Sequence, residues 1–349
     1  MTPNLNPLML IETRESPQVV ARLLDRNAER VLRIADAIRE RKPIFAVTVA
    51  RGTSHHAATL VKYALETELG LVTAAAAPST VTTYGATLRL AQALVFGISQ
   101  SGQSPDVVET LRAARACGAL TVAIVNDESS PLAQAAEFVL PMHAGPERAV
   151  AATKTFLASL AAPLQIIAEV AGDEMLKAAL ASLPQALRET LELSEEVRER
   201  AERYRYAEVM LTLARGAHQP VALELALKLK ETCTVTAEAF STAEFAHGPV
   251  ILVQPGTPVL ALHARDASGA GTKVFYQELA ARGAELILIG NPDDEIPAET
   301  RLATPPTGHF LTDPATCAIA GYLFAGYLSL ARGMNPDAPR TLTKVTRTL

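Results

Sequence analysis

Tryptophan is absent from the 349 residues, and aromatic residues make up only 5%. Platforms on which nucleic-acid bases stack are therefore scarce, which argues against a nucleic-acid binder. An excess of one charge is lacking too. Lys and Arg number 32 against 37 Asp and Glu, a formal net charge of -5. No block of like charges forms a basic arm. Cysteine is rare: Cys117, Cys233 and Cys317 are odd in number, far apart and without CxxC spacing. Neither a disulfide framework nor a zinc ribbon is expected, and a reducing cytoplasm fits. The opening stretch MTPNLNPLMLIETRESP has no basic segment followed by an apolar core, so no signal peptide is expected. The longest uncharged run, Ala315 to Ala331, reaches only the lower edge of spanning length. It carries Thr316, Tyr322, Tyr327, Ser329 and two glycines, which fits a buried helix of a soluble core and no membrane partner.

What is present is the composition of a globular protein, 49% apolar and 20% charged, at a length that suggests two domains. Short β-branched runs alternate with longer amphipathic stretches. Ile44–Val49, Ala93–Ile98 and Leu120–Val125 read as strands, with helices over Ser54–Leu69 and Pro105–Ala116. Strands that are apolar throughout, separated by helices, predict a parallel sheet covered on both faces, the doubly wound α/β class. The order then recurs. Val209–Leu213, Val259–His263 and Glu285–Ile289 read as strands, with helices after Ala214-Arg215-Gly216 through Glu231 and near Thr272–Ala281. Ala50-Arg51-Gly52 opens the first half as Ala214-Arg215-Gly216 opens the second, so an internal duplication of one flavodoxin-like unit is expected. The expected division is an N-terminal segment 1–27, a first unit 28–173, a helical linker 174–203, a second unit 204–333 and an extended tail 334–349 laid over the body.

The most specific local signal is Ser99-Gln100-Ser101-Gly102-Gln103-Ser104, between a strand end and a helix start. Three hydroxyls, a glycine and free backbone N–H groups converge where open α/β sheets bind ligands, and a helix N-terminus favours an anion such as phosphate. Arg51-Gly52-Thr53-Ser54 lies at an earlier strand-to-helix junction of the same unit, where Thr53 and Ser54 could meet a sugar hydroxyl or the phosphate. The corresponding later loop, Ala264 to Gly271, lacks the hydroxyl pattern, so one phosphate site per chain is expected. His55 and His56 point about 100° apart on a helix and have no nearby cysteine or carboxylate partner, so no metal site is read there. Glu224, Lys228 and Glu231 share one helix face at i, i+4 and i+7. A solvated Glu–Lys pair and a buried, coupled acid–base set both fit that spacing. His247-Gly248-Pro249 lies in an expected loop and is a candidate for proton transfer.

Six ordered segments, ARGTSHHAA, SQSGQSPD, AGPERAVAATKTF, ELALKLKETC, AEFAHGP and APRTLTKVT, together resemble the double sugar-isomerase (SIS) domain family over nearly the whole chain. That family includes the isomerase half of glutamine–fructose-6-phosphate aminotransferases and the SIS-type glucosamine-6-phosphate deaminases. The resemblance implies that Ser99, Gln100, Ser101 and Ser104 hold a sugar phosphate with Thr53 and Ser54 beside them. It also implies that Val150 and Ala151 offer backbone contacts to the sugar. Glu231 matches the enolisation base, Lys228 the helix lysine, Lys344 the tail lysine, and His247 a ring-opening histidine that a neighbouring subunit supplies. A homodimer with shared sites and no metal or organic cofactor are implied.

The aminotransferases carry a glutaminase domain with a leading cysteine, whereas here the chain starts Met1-Thr2-Pro3 and its first cysteine is Cys117. Glutamine hydrolysis is therefore not expected. RGTS stands in place of the aminotransferases' CGTS, and SQSGQSPD in place of SQSGET. That style looks more like the deaminases, so the expected reaction is glucosamine 6-phosphate plus water to fructose 6-phosphate plus ammonia. A synthase using free ammonia or a glutaminase partner, a deaminase or deglycase of another phosphosugar, and a sugar-phosphate sensor are the alternatives. No helix-turn-helix segment precedes the first unit to couple sensing to DNA.

Overall fold

The structure is a computed structural model that describes residues 7–339 and 344. Helices α1 (Leu8–Arg14), α2 (Ser16–Arg26) and α3 (Ala28–Arg41) lead in. There follow β1 (Phe45–Val49), α4 (Gly52–Leu69), β2 (Thr73–Ala75), α5 (Ser79–Thr82), β3 (Ala93–Ser99), α6 (Pro105–Ala116), β4 (Leu120–Val125), α7 (Pro131–Ala135) and β5 (Phe138–Pro141). Helices α8 (Lys154–Ala171), α9 (Glu174–Leu191) and α10 (Ser194–Ala201) come next. The second half runs β6 (Val209–Ala214), α11 (Gln219–Cys233), β7 (Thr236–Ser241), α12 (Thr242–Ala246), β8 (Pro258–His263), α13 (Gly269–Ala281), β9 (Glu285–Gly290), β10 (Thr300–Ala303) and α14 (Asp313–Ala331).

Each half builds a five-stranded parallel sheet, ordered β2-β1-β3-β4-β5 in the first and β10-β9-β8-β6-β7 in the second. Counted within its own half, each sheet has the order 2-1-3-4-5, the flavodoxin-like doubly wound arrangement. The duplication reaches the backbone torsions. Arg51 has φ -136° and ψ 155°, Arg215 has φ -136° and ψ 152°, and the glycines that follow have φ +51° and +60°.

The central strands are buried along nearly their whole length, because helices cover both faces. In the first half Val47, Val95 and Ala123 pack with Val107, Leu111 and Leu132. In the second, Leu211, Val259 and Leu286 pack with Tyr276, Leu279 and Phe245. Helices α8 and α14 are long and apolar enough to cross a membrane by length and composition alone, but 78% and 89% of their apolar windows are buried inside the protein.

The chain divides into two compact units, and neither is one continuous stretch. The first comprises Gln18–Glu147 and Lys154–Ala181, with the end of the tail. The second comprises residues 182–339, Arg148–Thr153 and the N-terminal stretch with α1. Within the second unit, Arg14 reaches the Tyr327 hydroxyl at 3.0 Å. Asp337, after α14, accepts from the Leu8 and Met9 N–H groups at 2.7 and 2.8 Å. The extended tail expected over 334–349 lies outside the described residues at 340–343 and 345–349.

Candidate functional site

In the first unit, β1 and β3 are neighbours whose chains leave for helices in different directions. That is the switch point at which doubly wound sheets open a crevice. The Arg51–Ser54 turn and the Ser99–Ser104 loop both lie there. Ser99 Oγ accepts from the Gly102 N–H at 3.1 Å, and Ser101 Oγ accepts from the Gln103 N–H at 3.3 Å. Each hydroxyl keeps its own hydrogen to donate. Ser104 is the N-cap of α6 in extended conformation, and its side chain makes no capping bond. Thr53 and Ser54 are half-buried in the first turn of α4, and Gln100 and Ser101 are half-buried in the loop.

The two turns are tied together. Buried Asp106, in the first turn of α6, takes the Arg51 Nε and Nη2 on one carboxylate oxygen at 2.8 Å each. Arg51 is thus committed to bracing the crevice. Gly102 sits at φ +63°, and a Cβ there would come 2.2 Å from Ser130 Oγ and 2.5 Å from its Cβ. Ser130 is itself buried as the N-cap of α7. Gly102→Ala therefore meets both a left-handed backbone and a neighbour that cannot step aside. We expect a loss of at least about 2 kcal/mol in stability, read as a lowered thermal midpoint.

The second unit's switch point has diverged. His218 stands where Ser54 stands in the first unit, and it is buried. Burial pushes its imidazole down to about 4, although Asp266 and Asp313 pull it upward. In the loop after β8, Ser268 Oγ is spent on Asp266 Oδ1 at 2.5 Å. Arg265 donates to the Thr304 carbonyl. The hydroxyl cradle is not repeated here.

Chemistry in this unit gathers on α11 instead. Lys228 and Glu224 are 1% and 0% exposed in their side chains, while Glu231 keeps 23%. Lys228 Nζ lies 2.5 Å from Glu231 Oε2 and 3.4 Å from Glu224 Oε1. Burial alone would lower the lysine, but the two carboxylates outweigh it and hold its pKa above the ordinary value. Of the two arrangements that the i, i+4, i+7 spacing allows, the buried and coupled one is present. Cys233, at the end of α11, is a core residue whose thiol burial pushes up to about 12. His247 ends α12 and is exposed, beside Ile251 and Leu252, themselves 77% and 52% exposed.

Three side chains that the motifs do not single out hold neighbouring segments in place. Buried Glu12 on α1 accepts from the Arg148 and Ala149 N–H groups at 2.5 and 3.1 Å, fixing the loop that carries Val150 and Ala151. Glu147 accepts from the Thr155 hydroxyl at 2.6 Å and pairs with Lys344 Nζ at 3.2 Å. Tyr322 on α14 donates to Glu224 Oε1 at 3.2 Å. Glu147 lies inside the AGPERAVAATK segment and could have been flagged by that position. Glu12 and Tyr322 carry no local signal.

The two halves are thus copies of one doubly wound α/β unit, the first with a hydroxyl-lined loop and the second with a buried Glu–Lys–Glu helix. The chain belongs to the SIS domain family, whose pattern matches residues 38–168 and 204–330, and it has the phosphosugar-isomerase fold. A protein of Silicibacter pomeroyi DSS-3 named as a candidate phosphosugar isomerase is similar at 41% identity and TM-score 0.89, over 95% of this chain and 100% of that one. The isomerizing glutamine–fructose-6-phosphate aminotransferase of Aquifex aeolicus is 35% identical over 85% of this chain and 50% of its own length. The chain spans about half the length of the curated relatives it matches. The glucosamine-6-phosphate deaminase of Thermotoga maritima superposes with TM-score 0.80 over 98% of this chain and 100% of its own, at 21% identity, a likeness of fold alone.

Proposed function

We propose that this protein is an enzyme that interconverts an amino-aldose phosphate and a ketose phosphate, converting glucosamine 6-phosphate and water to fructose 6-phosphate and ammonia. The observation that carries this reading is the buried Glu224–Lys228–Glu231 set, of which only Glu231 keeps a solvent-accessible edge. Moving a carbonyl between C1 and C2 needs one base to carry a proton between those carbons, and a carboxylate with an ordered ammonium beside it suits that task. In this reading Ser99, Gln100, Ser101, Ser104, Thr53 and Ser54 bind the phosphate, and the backbone at Val150 and Ala151 orients the sugar. Remote phosphate binding supplies energy that positions the reacting carbons. Lys344, tethered by Glu147, stabilises the developing oxyanion as a cation or, deprotonated, forms an imine with the carbonyl.

His247 would open the pyranose in a second copy of the chain. An exposed imidazole beside two exposed aliphatic side chains suits a face that a partner subunit covers. Three free cysteines, two of them buried, accord with a reducing cytoplasm.

A second reading is favoured by the named relatives, several of which are isomerizing aminotransferases at 33–35% identity: synthesis of glucosamine 6-phosphate from fructose 6-phosphate and ammonia. The proton-transfer residues serve both directions. The test is to follow ammonia and fructose 6-phosphate from purified protein given glucosamine 6-phosphate without glutamine, and then to run the reverse with ammonium. Stoichiometric release of both products is expected. Net turnover only in the reverse direction would favour the synthase, and binding without turnover would favour a sensor.

A further inference from the structure

Tyr322 is buried in the middle of α14, and its hydroxyl donates to Glu224 Oε1 at 3.2 Å. Glu224 Oε1 is also the atom that faces Lys228 Nζ at 3.4 Å, while the same ammonium sits 2.5 Å from Glu231. Two carboxylates therefore compete for one cation, and the cation leans toward the one with an accessible edge. Nothing on α11 alone explains that asymmetry, because Glu224 is the more buried acid and would gain more from a close counter-charge. The phenol adds a hydrogen bond to the Glu224 anion on the same oxygen that the lysine holds only at 3.4 Å. Among the described residues, Glu224, Lys228 and Glu231 from α11 and Tyr322 from α14 face one another here. Of the strands beside α11, β6 contributes Thr212, whose hydroxyl bonds the Ala222 carbonyl at 2.8 Å, and β7 contributes Glu238, which is exposed.

We infer that Tyr322 is a positioning residue for the isomerisation: by satisfying Glu224 it frees the Lys228 ammonium to lie against Glu231. The inference rests on the reading of Glu231 as the proton-transferring base. Without the phenol, Lys228 is drawn back to Glu224, and Glu231 loses the cation that orders it and steadies its anion.

Proton exchange separates this claim from the reading it rests on. Fructose 6-phosphate incubated with the full-length protein in D2O exchanges a C1 proton whenever the base and phosphate sites work, whatever the fate of nitrogen, and NMR follows the wash-in. Tyr322→Phe keeps the ring and the packing. It is expected to slow exchange roughly tenfold to a hundredfold, the worth of a hydrogen bond to a charged group. KM should stay near wild type, and the acid limb of the pH–rate profile should move to higher pH. In a Glu224→Gln background the same substitution should cost little, because the two changes act through one group. An unmoved acid limb with a lowered thermal midpoint, or full additivity with Glu224→Gln, overturns the inference while leaving the base assignment intact. No exchange by the wild-type protein removes the base assignment, and the inference falls with it.

Discussion

Glu231→Gln is expected to lower turnover of glucosamine 6-phosphate by about 10²- to 10⁴-fold with KM little changed, the usual contribution of a positioned general base. The amide matches the carboxylate in size, so packing around the 23%-exposed side chain survives. It does not accept the substrate proton at neutral pH. Lys228 keeps an anionic partner in Glu224 at 3.4 Å, so the buried ammonium is not stranded and stability should fall only modestly. A split of this kind, with kcat lost and KM and thermal midpoint retained, identifies a group used in the transition state and not in binding. Full turnover in the variant would remove Glu231 as the base and shift attention to the tail lysine, Lys344.

Lys228→Met is expected to act the other way round, on stability first. Methionine fills a comparable volume, but it leaves Glu224, fully buried, and Glu231 with no cation between them. Breaking a buried ion pair by removing one partner costs about 3–5 kcal/mol, mostly the penalty of the uncompensated charge. For a unit of this size that corresponds to a fall of roughly 6–20 °C in thermal midpoint. The Tyr322 hydroxyl softens the loss without replacing a charge. The deficit should shrink in acid, where a protonated carboxylate no longer requires a cation. A midpoint within about 2 °C of wild type at neutral pH would mean that the desolvation of the ammonium already cancels its attraction to both acids.

The central strands and their helices were legible in the sequence almost to the residue. Leu120–Val125 and Pro105–Ala116 have the expected bounds, and Ile44–Val49 loses only its first residue. These strands are covered on both faces, so every position must be apolar, and the run announces itself. The edge strands escaped. Thr73–Ala75, Phe138–Pro141, Thr236–Ser241 and Thr300–Ala303 are short or half polar. They need burial on fewer sides, and pairing with a neighbour selects them more than composition does.

The site divides along similar lines. Phosphate-loop candidates are contiguous between one strand and the next helix, so a local pattern contains them. The burial that distinguishes a coupled Glu224–Lys228–Glu231 set from a solvated one is a property of what packs over α11. The supporting pairs act at long range: Tyr322 is 98 positions from Glu224, which it braces, Glu12 is 136 from Arg148, and Glu147 is 197 from Lys344. No spacing rule reaches so far.

The interleaving of the two units constrains how the chain can be made. Helix α1 is translated well before its partners on α14 and at Asp337; Arg14 waits for Tyr327, 313 residues away. Most of the first unit, from Gln18 to Ala181, is complete while much of the second has still to emerge. A nascent chain would therefore carry the Met9 and Leu10 face of α1 without its covering partner until α14 emerges. Contacts of such separation close slowly and leave intermediates open to misassociation. Deleting α1 should consequently appear as a defect of the C-terminal half, with a lowered thermal midpoint.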